Sequence, residues 1–274
     1  MKLRSRILLM LLLMVILFCG CVNLFTYTDL RSEGYVYPND ISKAKLLMQE
    51  MSVAHRNHLW DGIQTYNVQL EEESFGFFGK KSSPFKELDM TFSLNYIPKT
   101  FDGLMEIRSG KEKGQFWGVQ EGKTYQRIEE NVFVKENDAY QFSINTYQYF
   151  LELPNRITEA TIVDYLGSET IDGIAADGVI VSWNTLEPQR DIDQFVIWLH
   201  SKTKRIVKVE YTIREKFKFV KGEAFYKGYK EYDGFLLPTE IASRSNIKKN
   251  GYIHVKQIKG FTPNVLSIDQ LRPL

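Results

Sequence analysis

Cysteine is nearly missing from this chain of 274 residues: the only two are Cys19 and Cys21. Both precede the body of the sequence, so no disulfide cross-links it and the fold must stand on an apolar core. There is no GxSxG elbow, HExxH, CxxC or phosphate-binding glycine loop, which removes the usual signatures of serine hydrolysis, zinc proteolysis, dithiol chemistry and nucleotide binding. Neither sign of charge dominates. With 35 basic and 34 acidic residues the net charge is +1, and nothing draws the chain towards nucleic acid. The longest apolar run, residues 7–18, is too short for a membrane-spanning helix, which needs roughly 20 residues. No internal repeat, low-complexity block or linker divides the body. What the chain has in quantity is aromatic surface, with 18 Phe, 15 Tyr and 4 Trp to bury or to offer a ligand.

The apolar run follows Lys2, Arg4 and Arg6 and ends at Cys19, Gly20 and Cys21. Basic flank, apolar core and small-residue exit together read as an export signal. The Gly20-Cys21 ending resembles a bacterial lipobox, although Phe18 stands where that pattern usually has Leu. The resemblance implies cleavage before Cys21 and diacylglycerol on its sulfur, so Cys21 would be the lipid anchor. Each buried methylene would add ~0.8 kcal/mol of membrane affinity. The lack of Asp after Cys21 resembles the outer-membrane default of enterobacterial lipoproteins, which implies a domain facing the periplasm. Loss of residues 1–20 leaves 32 basic and 34 acidic residues, a net charge of −2. The expected organisation is a signal peptide over 1–20, a tether over 21–38 and one domain over 39–274.

Asp40 is a helix cap, and Ile41, Ala44, Leu47, Met48, Met51 and Ala54 recur at helical spacing, which predicts a helix to about Leu59. From Ile63 the period changes to two. Tyr66, Val68 and Leu70 alternate with Asn67, Gln69 and Glu71, and Met90, Phe92, Leu94 and Tyr96 alternate with Thr91, Ser93 and Asn95. Further strands are expected near 104–108, 115–120, 123–127, 131–135, 162–168, 175–183, 194–200, 205–214, 217–232, 236–245 and 252–259. Asp-Gly, Glu-Gly and Asn-Gly pairs at 102, 121, 172, 233 and 250 mark tight turns. A second helix is expected over 142–152, ending before Pro154. The fold class is thus mainly β with covering helices: one antiparallel sheet, too wide to stay flat, curling into an unclosed half-barrel.

The C-terminal half resembles the lipoprotein-carrier superfamily of LolA, LolB and mycobacterial lipid-carrying lipoproteins. Three segments carry the likeness: ETIDGIAADGVIVSW at 169–183, VIWLHSKTKRIVKVEY at 196–211 and YKEYDGFLLPTEI at 229–241. The helix leading into the first strand suits the family's N-terminal order. The resemblance implies a concave sheet and helical lid around a hydrophobic cavity for a lipid or lipoprotein acyl chain, with no cofactor, no metal and no catalysis. Such a cavity replaces the bilayer for methylenes that cost ~0.8 kcal/mol each in water. The candidate wall is Val68, Leu70, Phe92, Leu94, Met105, Ile107, Val179, Val181, Trp183, Val207, Val209, Tyr211 and Ile213. The plain alternative is an envelope scaffold in which these side chains fill a dry core. A basic gate at the lid is another family feature, for which Arg56 and Arg108 are the candidates.

Residues 74–86 are long for a hairpin connection and hold Phe75, Phe77, Phe78 and Phe85 among glycines and the pair Lys80 and Lys81. LolB is similar in using a protruding apolar loop. Phe75, Phe77, Phe78, Lys80 and Lys81 are therefore candidates for membrane contact, with the lysines meeting headgroup phosphates. The alternative is that the rings fold back as a plug. His55 and His58, one turn apart near Asp61, are two ligands of an incomplete metal site and more simply a helix flank. Glu71, Glu72 and Glu73 read as a solvated strand end, and His200 and His254 as isolated. No acid and base pair emerges from spacing.

Overall fold

The computed structural model describes residues 29–85, 87–214, 217–245 and 251–274. Its first half holds α1 (Ile41–Ala54), a 3-10 turn (Asn57–Gly62), β1 (Tyr66–Ser74), α2 (Gly76–Ser82), β2 (Asp89–Tyr96), β3 (Gly103–Ile107), β4 (Phe116–Gln120), β5 (Lys123–Ile128) and β6 (Asn131–Val134). Then come α3 (Asp138–Arg156), β7 (Ile162–Ile171), β8 (Ile174–Ser182), β9 (Gln194–His200), β10 (Ile206–Ile213) and β11 (Phe217–Lys227). The chain ends with β12 (Lys230–Tyr232), β13 (Phe235–Leu237), β14 (Glu240–Ser245), β15 (His254–Pro263) and α4 (Ile268–Leu271).

Thirteen strands form one antiparallel sheet in the order β6-β5-β4-β3-β2-β1-β15-β14-β11-β10-β9-β8-β7, while β12 and β13 make a separate hairpin. Two meanders meet where β1 pairs with β15, and β6 and β7 are unjoined edges, so the sheet is unclosed. Helix α3 shows that it curls. Its Tyr140 meets Trp117 on β4 and its Phe150 meets Tyr211 on β10. In a flat sheet those two strands would stand about seven spacings of ~4.8 Å apart, more than the ~28 Å length of a 19-residue helix.

Close approach of strands is helped by ring-over-glycine pairs. Tyr125 lies over Gly118 directly opposite it, and Tyr211 over Gly222; a Cβ on either glycine would fall within 2.5 Å of the ring. Any larger residue at those positions would push the ring off the sheet.

The elements depart from sequence expectation at five places. The predicted helix to Leu59 stops at Ala54, because Arg56 takes a left-handed φ of 55° and a 3-10 turn follows. The second helix starts earlier, where the Asn137 side chain accepts from the Tyr140 N–H, and runs through Pro154. Proline strips the Phe150 carbonyl of its intrahelical donor, and the Tyr226 hydroxyl supplies one at 2.8 Å. The strand expected over 217–232 breaks at Gly228 (φ 64°), and that over 236–245 breaks at Pro238. Residues 74–86 contain the short helix α2 rather than an open loop.

The segment expected to be a free tether is in place from residue 29. Leu30 is buried with Ile180, Trp198 and Phe225 on the sheet face away from the helices. Lys221 bonds the Asp29 carbonyl, and Arg31 pairs with Glu187. Asp164 closes this strap by accepting from Tyr35 Oη at 2.5 Å, Asn39 N at 2.7 Å and Asp40 N at 2.8 Å. Only residues 22–28 separate the strap from Cys21. The apolar run 7–18, Cys19 and Cys21 lie outside the described residues, and among the described residues no helix is long and apolar enough to cross a membrane.

Candidate functional site

Alternation on the strands sends one apolar row to the face that α1 and α3 cover. Val68, Leu70, Phe92, Leu94, Met105, Ile107, Val179, Val181, Val209 and Tyr211 join a single buried cluster with Met51, Ile144, Tyr147 and Leu151 from the helices. Trp183 and Ile213 pack on its margin. Val207 does not belong to this face. The β9–β10 register slips between Ile206 and Lys208, and that bulge turns Val207 into the opposite cluster, beside Trp198 and Phe225. Sequence alternation cannot see a bulge, so the placement of Val207 in the wall is corrected.

The covered face is closed. The ten clustered wall residues expose between 0 and 9% of their surface. Two open grooves mark the outside of the molecule. One, of about 360 Å³, lies between α1 and the β9–β10 turn; the other, about 530 Å³, lies beside β4 and β5. Neither is lined by wall residues.

Polar groups far apart in the chain pin α3 over this face. Glu152 is wholly buried and accepts from Tyr66 Oη (2.7 Å), Gln148 Nε2 (2.8 Å), the Lys99 N–H (2.9 Å) and Arg156 Nε (2.8 Å). Tyr147 donates to Glu72 Oε2, and Tyr96 to the Ile144 carbonyl. Glu72 is not the solvated strand end its neighbours suggest: it is 4% exposed. Burial alone would raise its pKa, but Lys256 (3.3 Å) and His254 outweigh that and hold it down to about 2. His254 is likewise not isolated, since its Nδ1 lies 3.3 Å from Glu72 Oε1. The alternation rule fails here because inward-pointing Glu72 sits at an apolar register position and is stabilised by partners up to 184 residues away.

The same seam leaves polar atoms unmatched. His55 Nδ1, Asn57 Oδ1, Asn145 Oδ1, Gln148 Oε1, Asn155 Nδ2 and Arg156 Nη2 are buried without a partner. His55 accepts the Ile206 N–H at Nε2, and burial, then the charge of Arg205, lower its pKa to about 3. It is a packed, neutral ring. His58 is exposed, and no group of three potential metal ligands occurs among the described residues. Arg56 bonds the Gly234 carbonyl and Glu231, and Arg108 bonds Glu106 and Gln69. Neither candidate gate reaches the covered face. Arg156, the last residue of α3, is stacked over Phe101 at 4.2 Å and paired with Glu152.

The aromatic segment divides between its two readings. Phe85 is 2% exposed, stacks on Tyr140 and packs at a tilt on Phe92, so this ring closes the end of the core. Phe77 and Phe78 on α2 are 76% and 44% exposed, edge to face with each other, and Phe75 is 38% exposed. Lys80 and Lys81 are exposed on the same helix. Gly79 seats α2 on the sheet, where a Cβ would come within 2.7 Å of the Ile253 carbonyl.

No protein-family model and no curated protein matches the sequence. Solved structures do. A protein described as an outer membrane lipoprotein-sorting protein domain from Vibrio parahaemolyticus superposes at a TM-score of 0.52 with 13% identity, covering 85% of this chain and 98% of that one. A LolA superfamily protein from Nitrosomonas europaea gives 0.49 and 12%, covering 81% and 94%. A DUF1329 family protein from Desulfovibrio piger gives 0.49 and 16%, covering 85% and 98%. The unclosed thirteen-stranded sheet with its helical cover therefore has the same fold as the Vibrio parahaemolyticus domain.

Proposed function

We propose that the chain is a lipid-anchored lipoprotein on the extracytoplasmic side of a bacterial envelope membrane, outer membrane included, that takes an acyl chain between its sheet and α3. The observation that carries this reading is the seam under the helices. A permanent interface satisfies its buried polar groups, whereas this one leaves six polar atoms unmatched among the described residues while closing over an apolar floor. Orphaned atoms weaken the closed state by ~1–3 kcal/mol each and favour a lid that lifts. The carrier mechanism is then opening, occupation by a lipid or lipoprotein chain, and release, with no bond made or broken.

The exposed face of α2 suits membrane contact during release. Lys221, which ties down residue 29, lies in β11 just before its pairing with β14 begins, and α2 follows the end of β1 at the same end of the sheet, three strand spacings or ~15 Å away. A lipid on Cys21 would keep residue 29 within ~29 Å of the bilayer, because eight residues extend no further. Both features would turn Phe75, Phe77, Phe78, Lys80 and Lys81 towards lipid.

The low exposure of the wall supports a second reading, an envelope scaffold with a filled core and no cargo. A Cys21→Ser variant titrated with a solubilised 16-carbon fluorescent acyl probe separates the two. A carrier binds one equivalent and gains thermal stability; the scaffold binds none, and that result would end the transport reading.

A further inference from the structure

We infer that Ser82 is a nucleophilic serine that accepts an acyl group from a lipid-type ester, activated by His254 and Glu72. Three separate elements deliver the group: Glu72 from β1, Ser82 from the last position of α2, and His254 from the first of β15. Ser82 Oγ is 2.8 Å from His254 Nε2. On the far side of the ring, Nδ1 lies 3.3 Å from Glu72 Oε1 and 3.0 Å from Ser74 Oγ. This is the nucleophile, base and orienting acid geometry of acyl transfer, with each ring nitrogen facing the partner that its role requires.

The acid is well made for its part. Glu72 is buried and held at its second oxygen by the Tyr147 hydroxyl; its Oε1 faces Nδ1 at 3.3 Å beside the 3.0 Å hydrogen bond between that nitrogen and Ser74 Oγ, so its charge favours the tautomer protonated at Nδ1 and leaves Nε2 free to take a proton. Lys256, 3.3 Å from the same Oε1, shares the carboxylate and tempers its pull on an imidazolium. The serine itself is exposed, and its hydroxyl proton has a competing acceptor in the Phe78 carbonyl at 2.7 Å. Attack proceeds from the orientation in which that proton points to His254.

The substrate class follows from position. Phe78 and Ser82 are four residues apart and share one face of α2, so an acyl chain resting on the Phe77 and Phe78 rings brings its ester carbonyl towards Ser82. In the step, Oγ bonds the carbonyl carbon as its proton passes to Nε2. The ester C–O bond then breaks, and the departing alkoxide takes that proton from the imidazolium. The product is acyl-Ser82, a neutral imidazole and an alcohol. The N–H groups just beyond Ser82 are engaged, Ser83 with the Gly79 carbonyl and Phe85 with Ser83 Oγ. Without such donors to the oxyanion, the rate falls ~10²–10³-fold below that of a site that has them. The expected behaviour is stoichiometric acylation with slow turnover.

Full-length protein in phospholipid vesicles, treated with a fluorophosphonate probe and separately with p-nitrophenyl butyrate, tests this by intact-mass and peptide mass spectrometry. One adduct is expected on Ser82. It should vanish in Ser82→Ala, form ~10²–10⁴-fold more slowly in His254→Gln, and persist in Ser83→Ala. An unchanged melting temperature for Ser82→Ala shows that the loss is chemical. Absence of an adduct on Ser82 in the wild type, or a labelling rate indifferent to His254→Gln, overturns the assignment and leaves a hydrogen-bonded clasp between α2 and β15. Acyl-probe binding by the Cys21→Ser variant is a separate readout, so either reading can fail without the other.

Discussion

Replacing Phe77 and Phe78 together with Ser tests membrane contact by α2 most directly. These rings are 76% and 44% exposed, and a Phe side chain offers roughly 200 Å², so ~240 Å² of ring surface faces solvent. At ~25 cal/mol per Å², complete transfer to hydrocarbon would be worth ~6 kcal/mol. Immersion to about half that depth, as for an interfacial helix, gives ~3 kcal/mol, or roughly 100-fold in partitioning. Lys80 and Lys81 add about 1 kcal/mol each on anionic lipid. The assay is co-sedimentation of the Cys21→Ser protein with vesicles of 30% anionic lipid, alongside urea unfolding. The double variant should lose about 100-fold in vesicle affinity while its unfolding midpoint holds, because the rings touch chiefly each other. Unchanged vesicle affinity would refute the contact. A fall of several kcal/mol in stability would instead assign these rings to the core.

Phe85→Ala should do the reverse: it removes a ring packed on Phe92 and Tyr140, should cost ~3–5 kcal/mol in urea unfolding, and should leave vesicle binding alone. Acid should destabilise the fold through Glu72. Its pKa is about 2 folded and near 4.5 unfolded, so its contribution is complete above about pH 4.5 and is lost as pH falls towards 2. Glu72→Gln should flatten that limb of a stability profile measured from pH 5 to 2. Asp164 is also held below the usual carboxylate range, where burial is outweighed by donation from Tyr35, Asn39 and Asp40. Asp164→Asn should release the strap, costing ~1–3 kcal/mol and raising hydrogen exchange over residues 30–40 more than elsewhere.

Strand order along the chain was legible because alternation and turn chemistry are local. Tyr66, Val68 and Leu70 on β1 announce a half-buried strand whatever lies beside it. The β1–β15 pairing that makes the sheet one body was not, since nothing local couples Ser74 to His254, 180 residues on. The same limit explains the site. Ten of thirteen wall positions fall in one buried cluster by period alone, whereas Val207 is displaced by a bulge. Glu72, Glu152 and His254 were missed because burial of a charge is decided by partners that only the folded chain supplies. A glutamate at the inward register position of an otherwise apolar strand, with a lysine and a histidine two residues apart elsewhere, is the one trace they leave.

The energetics of the lid decide which way cargo would move. Lifting α3 exposes Tyr140, Ile144, Tyr147 and Leu151, at ~1.5–3 kcal/mol each, or roughly 6–12 kcal/mol in all. A 16-carbon chain arriving from water regains ~0.8 kcal/mol per methylene, ~12 kcal/mol, which offsets that cost. A chain already in a bilayer gains nothing comparable, because it leaves one apolar medium for another. Uptake from a membrane is therefore uphill for the isolated protein by most of the opening cost, and deposition into a membrane is downhill. A closed, empty resting state and an occupied state fed by another carrier are two consequences of one balance. For a carrier, that asymmetry would place the chain at the receiving end of a transfer, and it makes an acyl probe presented through water, rather than lipid recovered from membranes, the measurement that distinguishes a carrier from a scaffold.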